Sequence, residues 1–377
     1  MSRDKAKICV VVTTINTGEF LDGYCAQADA DGVRDRFRLV AIPDRKTPPD
    51  LYRKCAELAK CGFDVHCPPL ADQESYLKKL GKFAPLVPYN SDNRRNIGFL
   101  MALEWDCEVL LSIDDDNYCI GQTYDTVAQV CGSSVTLPAV YSSNQWFNIC
   151  ELLETEPNYR VYPRGFPYHK RHKEAELTFK EETGTVRLNA GLWLQDPDLD
   201  AITWLAAPVR ACKFRGESVL LGENVWSPIN TQNTALQRDL IVAYYFVRMG
   251  YPLAGMPIDR YGDIFSGFLV QACINHMGHR VRIGTPVADH RRNSHNYMRD
   301  LAGELACIFV LEDLLEWLPN ASLQGTTYFE AYLSLADAID EQVERFNGSI
   351  WTEATRGYFH QMTYCMRQWT DACRLVS

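Results

Sequence analysis

No apolar run in this sequence approaches the roughly 18 residues that a membrane-spanning helix needs. The opening segment MSRDKAKICVVVTTIN contains an apolar stretch of about six residues, too short for a signal-peptide core. The expectation is a cytoplasmic protein with no membrane span. Positive charge is also in short supply. Lys and Arg number 38 against 48 Asp and Glu, a net charge of −10, which excludes a generic nucleic-acid or membrane-surface binder. The 14 cysteines include no CxxC pair and no Cys/His zinc spacing, so they read as reduced thiols in apolar segments. No GxxxxGK[ST], GxGxxG or GxSxG is present, which removes support for P-loop, dinucleotide and serine-hydrolase chemistry. Repeats and low-complexity stretches are missing too.

What is present is a chain of 377 residues with 46% apolar content, enough for a large core. Its first third alternates strand and helix patterns. KICVVVTTIN reads as a buried strand, residues 18–30 as a helix, and FRLVAIPD as a second strand ending near Asp44. PPDLYRKCAELAKCGF has proline at a helix start and glycine at its end. SDNRRNIGFLMALEWDC is a helix with Arg94 and Arg95 in its first turn, and EVLLSI is the next strand. This order predicts a mostly parallel α/β sheet, whose ligands bind beyond the carboxyl ends of the strands. TVRLNAGLWLQD reads as a further strand and TALQRDLIVAYYFVRMGY as a helix. After about residue 300 every readable segment is helical. The predicted organisation is one α/β domain over 1–299 with a helical appendage over 300–377.

Asp114, Asp115 and Asp116 directly follow the apolar strand EVLLSI. An acidic triplet is often only a solvated turn. At the ligand end of a sheet, crowded carboxylates need a counter-charge or their pKa values rise. Mg²⁺ or Mn²⁺ supplies that charge and shares its oxygen ligands with substrate phosphates. Alternate residues of an extended chain share a face, so Asp114 and Asp116 are the candidate metal ligands. The arrangement is that of nucleotide-sugar glycosyltransferases of the GT-A type.

Ordered blocks over most of the chain resemble the reversibly glycosylated polypeptides, also called UDP-arabinopyranose mutases. VVVTTIN with FLDGY is similar to the opening strand and helix of that family, and NRRNIGFLMA with VLLSIDDDN to its arginine-bearing helix and IDDDC strand. YPRGFPY resembles its RGYPF, and AGLWLQDPDLDA its HGLWLN-PDYDA. NTQNTALQRDLI, PIDRYGDIFSGFLVQACINHMG and VRIGTPVADHRR match three further blocks in order. The resemblance implies a GT-A-like, Rossmann-like fold, a UDP-sugar, Mn²⁺ or Mg²⁺, and an arginine that carries sugar. Family members also assemble, so a homo-oligomer is expected.

Carried onto this sequence, the resemblance puts the family's arginine at Arg95, at the anomeric carbon or clamping the diphosphate. Asp115 supports the nucleotide. Asp44 faces ribose or uracil or merely ends a turn, and Thr14, at the end of the first strand, is a further nucleotide-sugar contact. Arg94 is a phosphate contact or a surface arginine. Arg164, Arg260 and Arg292 line the phosphate side or pair with acids. Asn189 and Gly191 bring backbone close to the sugar or form a bulge. Asp263 is a helix cap or the acceptor's base. His290 is a structural histidine or the third metal ligand. The chain departs from the family at Asn117, Ala190 and Gly262, where the resemblance implies Cys, His and Asp. These departures favour an enzyme that passes sugar to a small-molecule or protein acceptor over a mutase or a self-glycosylating protein.

Overall fold

The computed structural model describes residues 7–172, 174–293 and 295–377. Its N-terminal half alternates as the sequence predicts. The order is β1 (Ile8–Thr14), α1 (Leu21–Ala30), β2 (Phe37–Pro43), α2 (Pro49–Lys60), β3 (Val65–His66), α3 (Leu70–Lys78), α4 (Arg95–Glu104) and β4 (Val109–Ser112). There follow β5 (Asn117–Cys119), β6 (Ser134–Ser142), β7 (Leu153–Glu156), β8 (Leu177–Gln195), α5 (Ala201–Ala206), β9 (Arg210–Phe214), β10 (Val219–Leu221) and β11 (Thr234–Gln237). The chain ends with α6 (Gly262–His276), β12 (Arg280–His290), α7 (Tyr297–Trp317), α8 (Tyr328–Val343) and α9 (Glu353–Val376).

The sheet runs in the order β3-β2-β1-β4-β11-β8-β6-β10-β12-β5. Strands β3, β2, β1 and β4 are parallel, and β11 joins antiparallel to β4. Beyond β4 the sheet is therefore mixed. Strand β8 is its hub: residues 177–185 pair with β6, and residues 186–195 pair with β12. The chain moves outward from β1 through β2 to β3, then returns to add β4 on the other side of β1. The reversal opens a crevice at the carboxyl ends of β1 and β4, where ligands of such sheets bind.

Both faces of the parallel strands are covered, as their nearly continuous apolar sequences require. Cys9, Val11, Val40 and Ile42 face α4, while Ile8, Val10, Val12, Leu39 and Ala41 face α1 and α2. Helices α7 to α9 fill the same core as the first of these faces. The indole N–H of Trp369 donates to the Val242 carbonyl at 2.9 Å, and Trp351 and Tyr358 are also buried, so these three late aromatics are core residues, while Tyr364 is exposed.

One element differs from expectation. TALQRDLIVAYYFVRMGY is not one helix but β11, a 3₁₀ turn over Arg238–Ala243 and then irregular chain. Leu240 to Val247 are buried on every side, so no amphipathic face exists from which a period could be read. The slot between β4 and β8 takes Thr234–Gln237 as a strand. Among the described residues, no helix is long and apolar enough to cross a membrane.

Candidate active site

Helix α4 is nearly all buried, and it approaches β1 very closely. A Cβ on Gly98 would stand 2.4 Å from Val11 Cγ1 and 3.3 Å from Ile42 Cγ1. Glycine here lets the helix start directly over the strand ends. Arg95, in its first turn, therefore reaches the crevice. Its guanidinium donates to Asp114 Oδ1 at 2.6 Å, Ser112 Oγ at 2.9 Å, Thr13 Oγ1 at 3.3 Å and the Thr231 carbonyl at 3.4 Å. Burial opposes the charge of Arg95, but the carboxylate of Asp114 outweighs it and raises the pKa.

The parallel register sets Val11 beside Ser112, and continuing it brings Thr14 beside Asp115. The Thr14 hydroxyl donates to Asp115 Oδ2 at 2.7 Å. Burial pushes the Asp115 carboxyl up to about 6, with the Thr14 bond opposing the rise. Asp116 is set by the far edge of the sheet. Strand β5 pairs antiparallel with the end of β12, matching Asn117 to His290, and the Arg291 N–H donates to the Asp116 carbonyl at 2.9 Å. His290 Nε2 then lies 3.2 Å from Asp116 Oδ2. Burial works against ionised Asp116, yet its bond to His290 outweighs this and lowers its pKa; the same bond raises that of His290 against burial.

Two clefts of about 250 and 230 Å³ meet at this crevice. Thr13, Asp92 and Asp115 line both. The smaller, more apolar cleft adds Thr14, Ile15, Ile42, Asp44, Ser91 and Arg94. The larger runs from the three aspartates to Arg164, Asp198, Asp259, Arg260, Asp263, Arg292 and His295.

Several expected residues stand elsewhere or do other work. Arg94 is not a surface arginine, though it lines the smaller cleft. It is buried over the Tyr89 ring at 4.4 Å, with its Nε 4.0 Å from Asp44 Oδ2. Asp44 accepts the Arg45 N–H at 2.6 Å and the Ser91 N–H at 3.3 Å, which fixes the wall of the smaller cleft. Asn189 and Gly191 line neither cleft. Asn189 is buried against Arg282, and a Cβ on Gly191 would meet the Asn233 carbonyl oxygen at 2.9 Å, so the glycine serves strand packing.

Arg164 spends every donor inside the protein. Its Nε and Nη2 hold the two Asp198 oxygens at 2.9 and 3.0 Å. Its Nη1 and Nη2 hold the two Asp263 oxygens at 3.0 and 2.7 Å, and Nη1 also donates to the Arg260 carbonyl. Asp263 is thereby committed to Arg164 and does not stand free as a base. Burial opposes ionised Asp198, but Arg164 overrides it and holds the carboxyl at about 2.

The residues missed from sequence are Asp92, Asp198, Asp259, His295 and the supporting role of Asn117. Asn117 donates to Asp116 Oδ1 at 3.2 Å and accepts from Asn233 at 3.2 Å, so it orients the carboxylate from behind. Asp92 precedes the arginine pair, and its carboxyl opens onto the cavity. Surrounding protein, then the nearby charges of Asp259 and Asp263, raise its pKa above the usual carboxylate range, although the residue stays exposed to the cleft. Its adjacency to NRRNIG was the available signal.

The donor set suits a hard divalent cation in part. Two ligands at right angles on bonds of about 2.1 Å lie about 3 Å apart, close to the observed separation of His290 Nε2 and Asp116 Oδ2. His290 Nδ1 donates to the Asp196 carbonyl at 2.6 Å, which leaves Nε2 free for a metal when the ring is neutral. Asp114 is turned to Arg95 instead. Among the described residues, no three His, Cys, Asp or Glu side chains are grouped to hold an ion unaided. Asp116 and His290 thus provide two ligands, and phosphate oxygens or water would have to complete the set.

Fold and site together define an α/β protein with an acid-lined crevice at the switch point of its sheet. Residues 5–377 match the reversibly glycosylated polypeptide family, and the chain belongs to that family. UDP-arabinopyranose mutase 1 of Arabidopsis thaliana is 24% identical over 379 residues, covering 98% of this chain and 92% of its own. UDP-arabinopyranose mutase 2 of the same plant is 25% identical over 317 residues, 82% of this chain and 80% of its own. Among solved structures, glucosyl-3-phosphoglycerate synthase from Mycobacterium tuberculosis with Mn²⁺ and UDP-glucose aligns at TM-score 0.37 and 13% identity, over 81% of this chain and 79% of its own.

Proposed function

We propose that this protein is an enzyme that binds a UDP-sugar with Mn²⁺ or Mg²⁺ and transfers the sugar from its diphosphate to an acceptor. The observation that carries this reading is the convergence of Asp115, Asp116, His290 and Arg95 where two clefts of unequal polarity meet. The apolar cleft at Ile42, Asp44 and Arg94 suits a base and ribose. The diphosphate then crosses Asp115 and Asp116, and the sugar enters the larger cleft.

Asp116 and His290 would hold the cation, oriented by Asn117 and the Asp196 carbonyl. When bound, the ion would take up negative charge building on the departing UDP. Arg95 holds Asp114 through its guanidinium and stands ready to contact a phosphate oxygen. The bond from the anomeric carbon to the β-phosphate oxygen breaks, and its electron pair leaves with UDP. A bond to the acceptor oxygen forms, and the proton of that oxygen passes to Asp92. Asp92 lines both clefts, whereas Asp263 is held by Arg164, so Asp92 is better suited to this step.

A second reading, a mutase, is favoured by the relatives' activity and by where the departures fall. Ala190 lies in the β8 ladder, Asn117 stands behind Asp116, and a Cβ on Gly262 would meet the Val247 carbonyl oxygen at 2.4 Å. None of the three lines the larger cleft. In that reading an arginine of the cleft holds the sugar while its ring reopens, and no acceptor is needed.

The test is calorimetric titration with UDP and Mn²⁺, followed by product analysis. Asp116→Asn and His290→Gln should each weaken metal-dependent UDP binding by at least about tenfold, and Asp92→Asn should spare binding and slow turnover. Unchanged binding in both metal-ligand variants would remove the assignment. Conversion of UDP-arabinopyranose to its furanose form without acceptor, with sugar found on an arginine by mass spectrometry, would select the mutase.

A further inference from the structure

At the far end of the larger cleft stands Arg292, near Asp198 but in no ion pair with any described residue. Arg292 lies two residues past the end of β12. Its guanidinium stands 5.1 Å from the Trp204 ring centroid and 5.8 Å from that of Tyr297, which fix its direction. Its backbone N–H donates to Asp196 Oδ2 at 3.0 Å. Its side chain forms no ion pair among the described residues, and its buried Nη1 has no hydrogen-bond partner. A buried charged donor left without an acceptor is costly, more so than a neutral one. A ligand that brings an acceptor removes that cost.

Arg260 and His295 stand at the same end. Arg260 donates through Nε to Glu304 at 3.1 Å, and its Nη1 lies 3.5 Å from His295 Nδ1. It adopts φ +63, a left-handed conformation that costs a non-glycine residue energy and that gathers at ligand sites. Arg260, Arg292 and His295 line the larger cleft and not the smaller. If base and ribose occupy the smaller cleft and the diphosphate crosses Asp115 and Asp116, these three residues face what lies beyond the anomeric carbon.

We infer that Arg292, flanked by Arg260 and His295, is a seat for an oxyanion carried on the sugar side of the reaction, a phosphate or a carboxylate. The inference rests on the donor orientation proposed above. The oxyanion belongs either to the acceptor, as in a phosphorylated hydroxy compound, or to the donor's own sugar, as in a uronic acid. The guanidinium fork matches either group bidentately.

The experiment is calorimetric titration of the full chain in Mg²⁺. Inorganic phosphate should bind to protein already saturated with UDP. Arg292→Gln should weaken that binding by about tenfold while changing UDP affinity less than about twofold, with Arg292→Lys between them. UDP-glucuronate and UDP-glucose separate the two sources. A donor-borne carboxylate gives UDP-glucuronate the tighter binding, and Arg292→Gln removes the preference. An acceptor-borne anion leaves the two alike, with phosphate binding beside both. Equal loss of UDP and phosphate affinity in Arg292→Gln would overturn the inference, because the arginine would then be serving the diphosphate. So would phosphate binding that neither Arg292 variant alters, or its absence in wild type. Titration of phosphate into UDP-free protein reads this seat even where Asp116→Asn fails to lower UDP affinity. A failure of the donor reading is thus told apart from a failure of this one.

Discussion

Replacing Arg164 by methionine isolates what the buried arginine does. Five N–H groups of Arg164 serve two carboxylates and one carbonyl, so removal strips both Asp198 and Asp263 of their cation in one step. Methionine is close in length and fills much of the space, so the loss is mainly electrostatic. Breaking a buried pair from one side costs roughly 3–5 kcal/mol, because a charge remains without compensation. Two acids are stranded here, but Asp198 keeps its bond from Asn230 at 2.7 Å, and each carboxyl can relieve itself by taking a proton. About 4 kcal/mol is therefore a sensible size, equivalent to a melting temperature lower by about 5 °C in a chain of this length. Differential scanning fluorimetry and urea unfolding measure it. The Arg164→Met, Asp198→Asn, Asp263→Asn triple variant removes the stranded charges and should recover at least half of the loss. A single variant that melts within about 1 °C of wild type but loses UDP affinity would refute the reasoning, since the arginine would then be a ligand contact. A triple variant less stable than the single one would refute it equally.

Other perturbations follow from the same geometry. Gly98→Ala forces a methyl to within 2.4 Å of Val11 Cγ1 and should cost about 1–3 kcal/mol; the displaced α4 should also weaken UDP binding through Arg95, which titration of the folded variant detects. Asn117→Ala frees the Asp116 carboxylate and should lower Mn²⁺ affinity about 10–100-fold, read by manganese electron spin resonance. His360 bridges Asp340 on α8 at 2.8 Å and Glu344 just beyond that helix at 2.7 Å. The hydrogen bond to Asp340, then that to Glu344, raise its pKa above the usual histidine value. A raised folded pKa contributes stability that is complete below about 6.5 and is lost as pH climbs past the folded value. His360→Gln should therefore melt below wild type near pH 6 and match it near pH 9. The histidine is partly exposed, so the gap is under about 1 kcal/mol.

The larger elements were legible because their signals are local. Period-two and unbroken apolar runs mark β1, β2 and β4, and proline before α2 with glycine after it brackets that helix. The aspartates sit at the end of β4 because a polar triplet must follow where the apolar strand leaves the core. Arg95 was legible at a helix start, though its partner Asp114 was not. The chain also predicts a helix through residue 234 onward and is overruled there, since a run buried all round carries no period.

What the sequence by itself determined is the alternation of strands and helices, and with it the rim where acidic residues meet a ligand. Tertiary structure alone decided the working partners. Asp116 meets His290 only because β5 and β12 pair in one register, across 174 positions of chain. Arg164 is a clamp rather than a phosphate contact because Asp198 and Asp263 reach it from distant segments. Asp92 is raised because the folded protein around it, and then Asp259 and Asp263, disfavour its charge. Charge and hydrogen-bond energies depend on separations of a few ångströms, and separations between residues far apart in the chain exist only once the sheet has closed.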